Sequence, residues 1–167
     1  MPDHSPDYSI AERAAVPYAA IRGSATMADL APVMLPLAGE LFQWLGQRGL
    51  TPAGPLFWRY LVIDMEHELV IEVGVPLASD EAGDERVTTG TLPAGRYATV
   101  VHTGHPDGLM AATGALLAWG DQQGVHWDKT DVDGAEHWAC RLENYLTDPA
   151  EEPDMEQWRT ELAFKLV

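Results

Sequence analysis

Cysteine is almost missing from this sequence. One residue, Cys140, in 167 excludes an intramolecular disulfide and fits a reducing compartment. Basic residues are scarce as well: ten Lys and Arg against 26 Asp and Glu leave a formal charge of −16. Phosphate contacts need Lys and Arg, so this balance argues against a nucleic-acid-binding surface and against docking on anionic membrane. No uncharged apolar run approaches the roughly 20 residues of a transmembrane helix. The opening Met1-Pro-Asp-His-Ser-Pro-Asp7 has neither the basic start nor the apolar run of a signal peptide, so a soluble, cytoplasmic chain is expected.

Familiar chemical signatures are missing too. There is no Gly-x-Ser-x-Gly, P-loop or dinucleotide fingerprint. His102-x-x-His105 is too short and lacks a third ligand for zinc. Asp131-Val-Asp-Gly134 hints at a calcium loop, but an EF-hand aligned on Gly134 would start at Lys129 and end at Cys140, neither of them a ligand that loop uses. Neither a metal nor a cofactor is expected, which leaves side chains to supply the chemistry.

What is present is apolar mass, 46 % of the chain, with six Trp and five Tyr. That is enough for one compact core. Residues 1–8 are polar and contain Pro, and read as a loose tail; a single domain follows over 9–167. Tyr18–Ser24 reads as a strand. Leu30, Val33, Met34, Leu37, Leu41, Trp44 and Leu45 recur at spacings of three and four and form one apolar helix face. Pro36 is expected to kink this helix or move its start later. Strands are expected over 56–64 and 68–77, then an acidic connector over 79–86. Residues 87–91 and 96–103 look like a hairpin around Leu92-Pro-Ala-Gly95. A second helix over 108–123, a polar loop over 128–137, a strand over 138–146, an acidic loop over 147–154 and a last strand over 157–167 complete the chain.

The two halves, about 9–78 and 87–167, resemble each other. Trp44-x4-Gly49 recurs as Trp119-x4-Gly124, 75 residues on, and Tyr60-Leu-Val-Ile-Asp64 resembles Tyr145-Leu-Thr-Asp148, 85 residues on. The ten extra residues fall in the 128–137 loop, where insertions are tolerated. Each half reads as strand-helix-strand-strand. The expected fold is α+β: a tandem pseudo-two-fold repeat forming one antiparallel sheet, with both helices on one face and a central ligand cleft.

One residue stands out against this pattern. Glu143 lies inside the apolar, aromatic stretch Trp138–Leu146, and a carboxylate buried in a sheet costs several kcal/mol unless it is paired or protonated. Strand alternation puts Arg141, Glu143 and Tyr145 on one face. In the repeat, Trp58 corresponds to Glu143 and Tyr60 to Tyr145, so a two-fold axis would bring aromatic rings of one half beside the carboxylate of the other. Trp127 and Trp158 lie at strand or loop ends, where Trp often lids a cleft. Trp44 and Trp119 lie on apolar helix faces and read as core, and Cys140 alternates onto the face opposite Glu143.

The order of Leu92-Pro-Ala-Gly-Arg-Tyr-Ala98, His102-Thr-Gly104, Ala118-Trp-Gly120, Glu143-Asn-Tyr-Leu-Thr-Asp-Pro149 and Trp158-Arg-Thr-Glu-Leu162, with Gly74-Val-Pro76 in the first half, resembles the GyrI-like small-molecule-binding domain. This is the fold of the effector-binding domain of certain bacterial multidrug-responsive transcription activators. The resemblance implies a central cleft with Glu143 at its base and aromatic residues that hold lipophilic, often cationic, compounds. It also implies a second activity, since some stand-alone members are hydrolases that open cyclopropane-bearing genotoxins with the same Glu. Regulator members carry a separate DNA-binding segment, for which this sequence shows no basic patch.

Three expectations follow for function. In the first, the cleft binds lipophilic, cationic or aromatic small molecules through Glu143, Trp58, Tyr60, Tyr145, Trp127 and Trp158. In the second, the cleft is a cofactor-independent hydrolase of a strained electrophile, in which Glu143 acts as a general base on water or stabilises developing positive charge and a hydroxyl such as that of Tyr60 or Tyr145 protonates or orients the substrate. In the third, the acidic surface engages a protein partner as an inhibitor.

Overall fold

The computed structural model describes residues 6–167, so the first five residues of the expected tail lie outside it. Ten strands and two long helices follow in the order β1 (Ser9–Arg13), β2 (Val16–Ala25), α1 (Leu30–Gln47), β3 (Phe57–Ile63), β4 (Leu69–Pro76), β5 (Thr88–Leu92), β6 (Gly95–Thr103), α2 (Leu109–Gln122), β7 (Lys129–Val132), β8 (Ala135–Trp138), β9 (Arg141–Tyr145) and β10 (Arg159–Lys165). The main sheet path is β1-β6-β10-β9-β3-β4-β2-β5, with every pair antiparallel.

The pseudo-two-fold axis passes between β3 and β9, where Trp58 stands directly opposite Glu143. It relates β2-α1-β3-β4 to β6-α2-β9-β10, which is the repeated unit of the sequence. The edge strands are exchanged between the halves: β1 precedes the first half but pairs with β6, and β5 precedes the second half but pairs with β2. The hairpin expected between β5 and β6 is therefore absent. Between the observed ends of β5 and β6 only Pro93 and Ala94 remain, and they cannot form a two-residue hairpin turn, because its first central position needs φ > 0 and the proline ring fixes φ near −65°.

The 128–137 loop corrects another expectation. It is a β7–β8 hairpin whose turn residues, Asp133 and Gly134, both have positive φ (52° and 84°), as an Asp-Gly turn of this type requires. Val132 pairs with Ala135 across it, and this hairpin is the surplus of the second half. Trp138–Leu146 is correspondingly two strands. β8 pairs with β3 at Val62 and Ile63, and β9 pairs with β3 at Phe57–Arg59; a bulge between Tyr60 and Val62 lies where the partner changes. Arg59 fastens the break by donating to the Ala139 carbonyl at 2.7 Å. The last strand is shorter than expected, because a 3-10 turn (Met155–Gln157) precedes β10.

The helix α1 buries Met34, Leu37, Leu41, Trp44 and Leu45, as its apolar spacing dictates. It runs through Pro36, which is exposed, as is Pro32 one turn earlier, so water can serve the carbonyl that the proline leaves without an intrahelical donor. Both helices cover the same face of the sheet, α1 over β2 and β4 and α2 over β6. The central strands β3 and β9 lie in the gap between them. That gap positions the site.

Near the end of α2 the buried Gly120 lies under the indole of Trp127, and a Cβ at Gly120 would overlap that ring. Gly120→Ala is expected to lower stability by about 1–3 kcal/mol, read as a fall in melting temperature; an unchanged melting temperature would show that the indole is free to move.

Candidate functional site

Alternation along β3 and β9 points Trp58, Tyr60, Arg141, Glu143 and Tyr145 to the helix-bearing face. Glu143 is only 7 % exposed. The Tyr60 hydroxyl donates to its Oε1, and the Tyr145 ring stands edge-on to Trp58 with centroids 5.9 Å apart. All three rings are half-buried and frame the carboxylate.

A second buried carboxylate shows what is unusual here. Glu72, on the opposite face, is 1 % exposed, and the sequence reading did not single it out. It accepts from Tyr18 at 3.0 and 3.2 Å and from Arg59 at 3.3 Å, forming a buried ion pair. Glu143 has one phenol and, among the described residues, no cation within 4 Å. Pairing with Arg141, the ordinary alternative for this residue, does not occur. Burial raises the Glu143 pKa above the usual carboxylate range, while the Tyr60 hydrogen bond and the nearby charge of Arg141 pull it down. Burial also raises the Tyr60 pKa well above that of a free phenol, with the Glu143 charge adding to it. Tyr145 is shifted the same way, by burial first and then by Glu143.

Arg141 has a neighbourhood of its own. Its guanidinium carbon lies 4.5 Å from the Phe164 ring centre, 5.0 Å from Trp138 and 5.6 Å from Tyr60. Its one ion pair among the described residues is with Glu136 at 3.8 Å. Glu136 and Trp138 come from the β7–β8 hairpin; Glu136 lies in the 128–137 stretch expected as a loop and Trp138 opens the strand expected over 138–146, and the Asp133-Gly134 turn was the signal that could have joined them in one hairpin.

Trp127 lies further back. Its ring packs edge-on against Trp138 and Phe164, and its Nε1 donates to Asp121 at 3.0 Å. It supports the rings around Arg141 from behind. Trp158 lies just before β10, two residues from Thr160, which pairs with Tyr145. Its Nε1 donates to the Glu152 carbonyl at 2.7 Å, which holds it at the Tyr145 end of the cleft. The structure thus brings Trp58, Tyr60, Tyr145 and Glu143 together, with Trp127 and Trp158 outside that group. Two strands away from Glu143 on the same face, a groove of about 470 Å³ opens beside α2, lined by Tyr8, Val100, His102 and Ala112.

Among the described residues no cluster of His, Cys, Asp and Glu is arranged to hold a metal ion. Among the same residues no helix is long and apolar enough to cross a membrane.

Comparison with solved structures shows the fold to be shared. The EcmrR C-terminal domain superposes with a TM-score of 0.77 at 18 % identity, covering 97 % of this chain and 98 % of that one. In EcmrR bound to DNA, at the same TM-score and 19 % identity, the match takes 96 % of this chain but spans 57 % of that protein. A hydrolase encoded by lin2189 from Listeria innocua matches with a TM-score of 0.66 at 11 % identity, covering 98 % of this chain and 94 % of that one. SAV2435 bound to tetraphenylphosphonium matches at 0.58 and 14 %, covering 96 % and 94 %. A search of curated protein sequences returns no match. The model of one family, however, spans residues 6–167, nearly the whole chain: the protein belongs to the GyrI-like small molecule binding domain family.

Proposed function

We propose that the small molecules bound are lipophilic aromatic cations, held over Glu143 between the rings of Trp58, Tyr60 and Tyr145. The observation that carries this is the buried Glu143 carboxylate, which has a single phenol donor and no ion pair among the described residues. Such a group is costly in an apolar sheet, and a ligand cation supplies the missing charge while aromatic faces add cation–π attraction. Tetraphenylphosphonium bound to SAV2435, a protein of the same fold, supports this class of ligand. Titration with tetraphenylphosphonium is expected to quench Trp fluorescence saturably, with the ligand mass unchanged. Trp58→Ala, which removes the ring facing Glu143, is expected to weaken binding about tenfold, the scale of a desolvated cation–π contact. A flat titration of the parent protein would overturn the reading.

A second reading draws on the Tyr60–Glu143 contact. A carboxylate whose burial raises its proton affinity, hydrogen-bonded to a phenol, has the make-up of a general base with an orienting hydroxyl. For a strained cyclopropane the step would be addition of water. The water oxygen bonds to the ring carbon as the carbon–carbon bond breaks, Glu143 takes the proton, and that proton returns to the other fragment end. The hydrolase from Listeria innocua shares the fold. A product heavier by one water, lost in Glu143→Gln, would establish this reading in place of simple capture.

A further inference from the structure

The cleft contains two desolvated charges that do not neutralise each other. On the opposite face the buried acid and base meet: Arg59 spends its terminal nitrogens on Tyr18, Glu72 and the Ala139 carbonyl. On the cleft face Glu143 and Arg141 are two residues apart on one strand, about 7 Å along it, and form no ion pair. Tyr60 separates them, with its ring beneath the Arg141 guanidinium and its hydroxyl on Glu143.

Arg141 is left unsatisfied. Its side chain makes no hydrogen bond among the described residues, and its buried Nε has no acceptor, as is also true of the Arg59 Nε, whose terminal nitrogens are nonetheless all engaged. The carboxylate of Glu136, at 3.8 Å, lies beyond hydrogen-bonding range. The Arg141 side chain is 12 % exposed, so solvent serves it poorly. An unmet buried donor on a charged group costs more than one on a neutral group, and guanidinium donors suit carboxylate and carbonyl oxygens.

We propose that Arg141 is a second pole of the cleft that binds an acceptor oxygen, so that the preferred ligands are dipolar aromatic molecules: cationic at one end for Glu143, and bearing a carboxylate or carbonyl oxygen about 7 Å away for Arg141. This rests on the reading of Glu143 as the cation site and narrows it. A bare cation meets a like charge at Arg141, whereas a zwitterion satisfies both poles.

The test compares tetraphenylphosphonium with (4-carboxybutyl)triphenylphosphonium at neutral pH by calorimetric titration. The parent protein is expected to bind the carboxylate-bearing cation about tenfold more tightly. Arg141→Met is expected to lose that preference and to bind the plain cation more tightly than the parent does, because a like charge is gone. Arg141→Lys, which keeps charge without the planar fork, is expected to retain only part of the preference, and it serves if the Met variant does not fold. A packing role alone would lower the melting temperature and leave the preference in place. If plain cation binding depends on Glu143 but the parent shows no preference, the acceptor pole is wrong and the cation site stands. If neither probe binds the parent, both fall together.

Discussion

Glu143→Gln is expected to lose at least 100-fold in affinity for a lipophilic cation and to melt at a higher temperature than the parent. The two effects have one cause. The parent carboxylate is buried with a single phenol donor, so its charged form is poorly solvated in the unliganded protein and strongly attractive to a cation. Removing one member of a desolvated charge pair costs about 3–5 kcal/mol, and each 1.4 kcal/mol is about a factor of ten. Glutamine keeps the shape and an acceptor for Tyr60 but carries no charge to bury. Its stabilisation should depend on pH in a definite sense. The folded-state pKa of Glu143 is raised, so the folded chain holds its proton where the unfolded chain has released it. The parent's stability from this group is complete below the unfolded carboxylate value and is lost as pH rises through the folded one. The advantage of the Gln variant should therefore be small at acid pH and grow toward neutrality, reaching about 1–2 kcal/mol on the usual cost of an uncompensated polar group. Calorimetric melting of both proteins across that range checks it. Retained cation binding, or a Gln variant that melts lower at neutral pH, would remove Glu143 from its place in the cleft.

Much of this was legible in the sequence, and the reason lies in particular residues. The helix α1 followed from its 3.6-residue apolar spacing, and the pairing of Trp58 with Glu143 was implicit in the 85-residue repeat, because residues equivalent under a two-fold axis face each other where their strands meet across it. Other features were hidden. Edge strands β1 and β5 exchange halves; periodicity reports which way side chains point and carries no information about which strand lies alongside. Proline at position 93 argues only against a two-residue turn, whereas the expected hairpin turned over Leu92–Gly95. The Asp133-Gly134 turn was readable but competed with a calcium-loop reading of the same residues. Glu72 escaped notice because its partners Tyr18 and Arg59 come from other strands. Arg141 could be placed on the right face, yet whether it pairs with Glu143 depends on Tyr60 standing between them, which one-dimensional spacing does not encode.

In the proposed cation site, Tyr60 is also expected to set the pH at which cations are captured. Binding a cation favours the ionised form of Glu143, so affinity should fall as pH drops through the raised carboxylate pKa, at a pH above the ordinary carboxylate range. The Tyr60 hydrogen bond stabilises the charged form and opposes the effect of burial. Tyr60→Phe keeps the ring under Arg141 and removes only the donor. The loss of affinity on acidification should then set in at a higher pH than in the parent. Hydrogen bonds to charged groups contribute about 1.5–3 kcal/mol, so the variant should bind tetraphenylphosphonium about tenfold more weakly on the acid side of the transition. Well above the transition the two proteins should converge, because both then hold an ionised carboxylate. Titrations from pH 5 to 9 separate this from a packing defect, which would lower affinity equally at every pH. A Phe variant that is weaker by a constant factor would show that the phenol shapes the wall without setting the charge on Glu143.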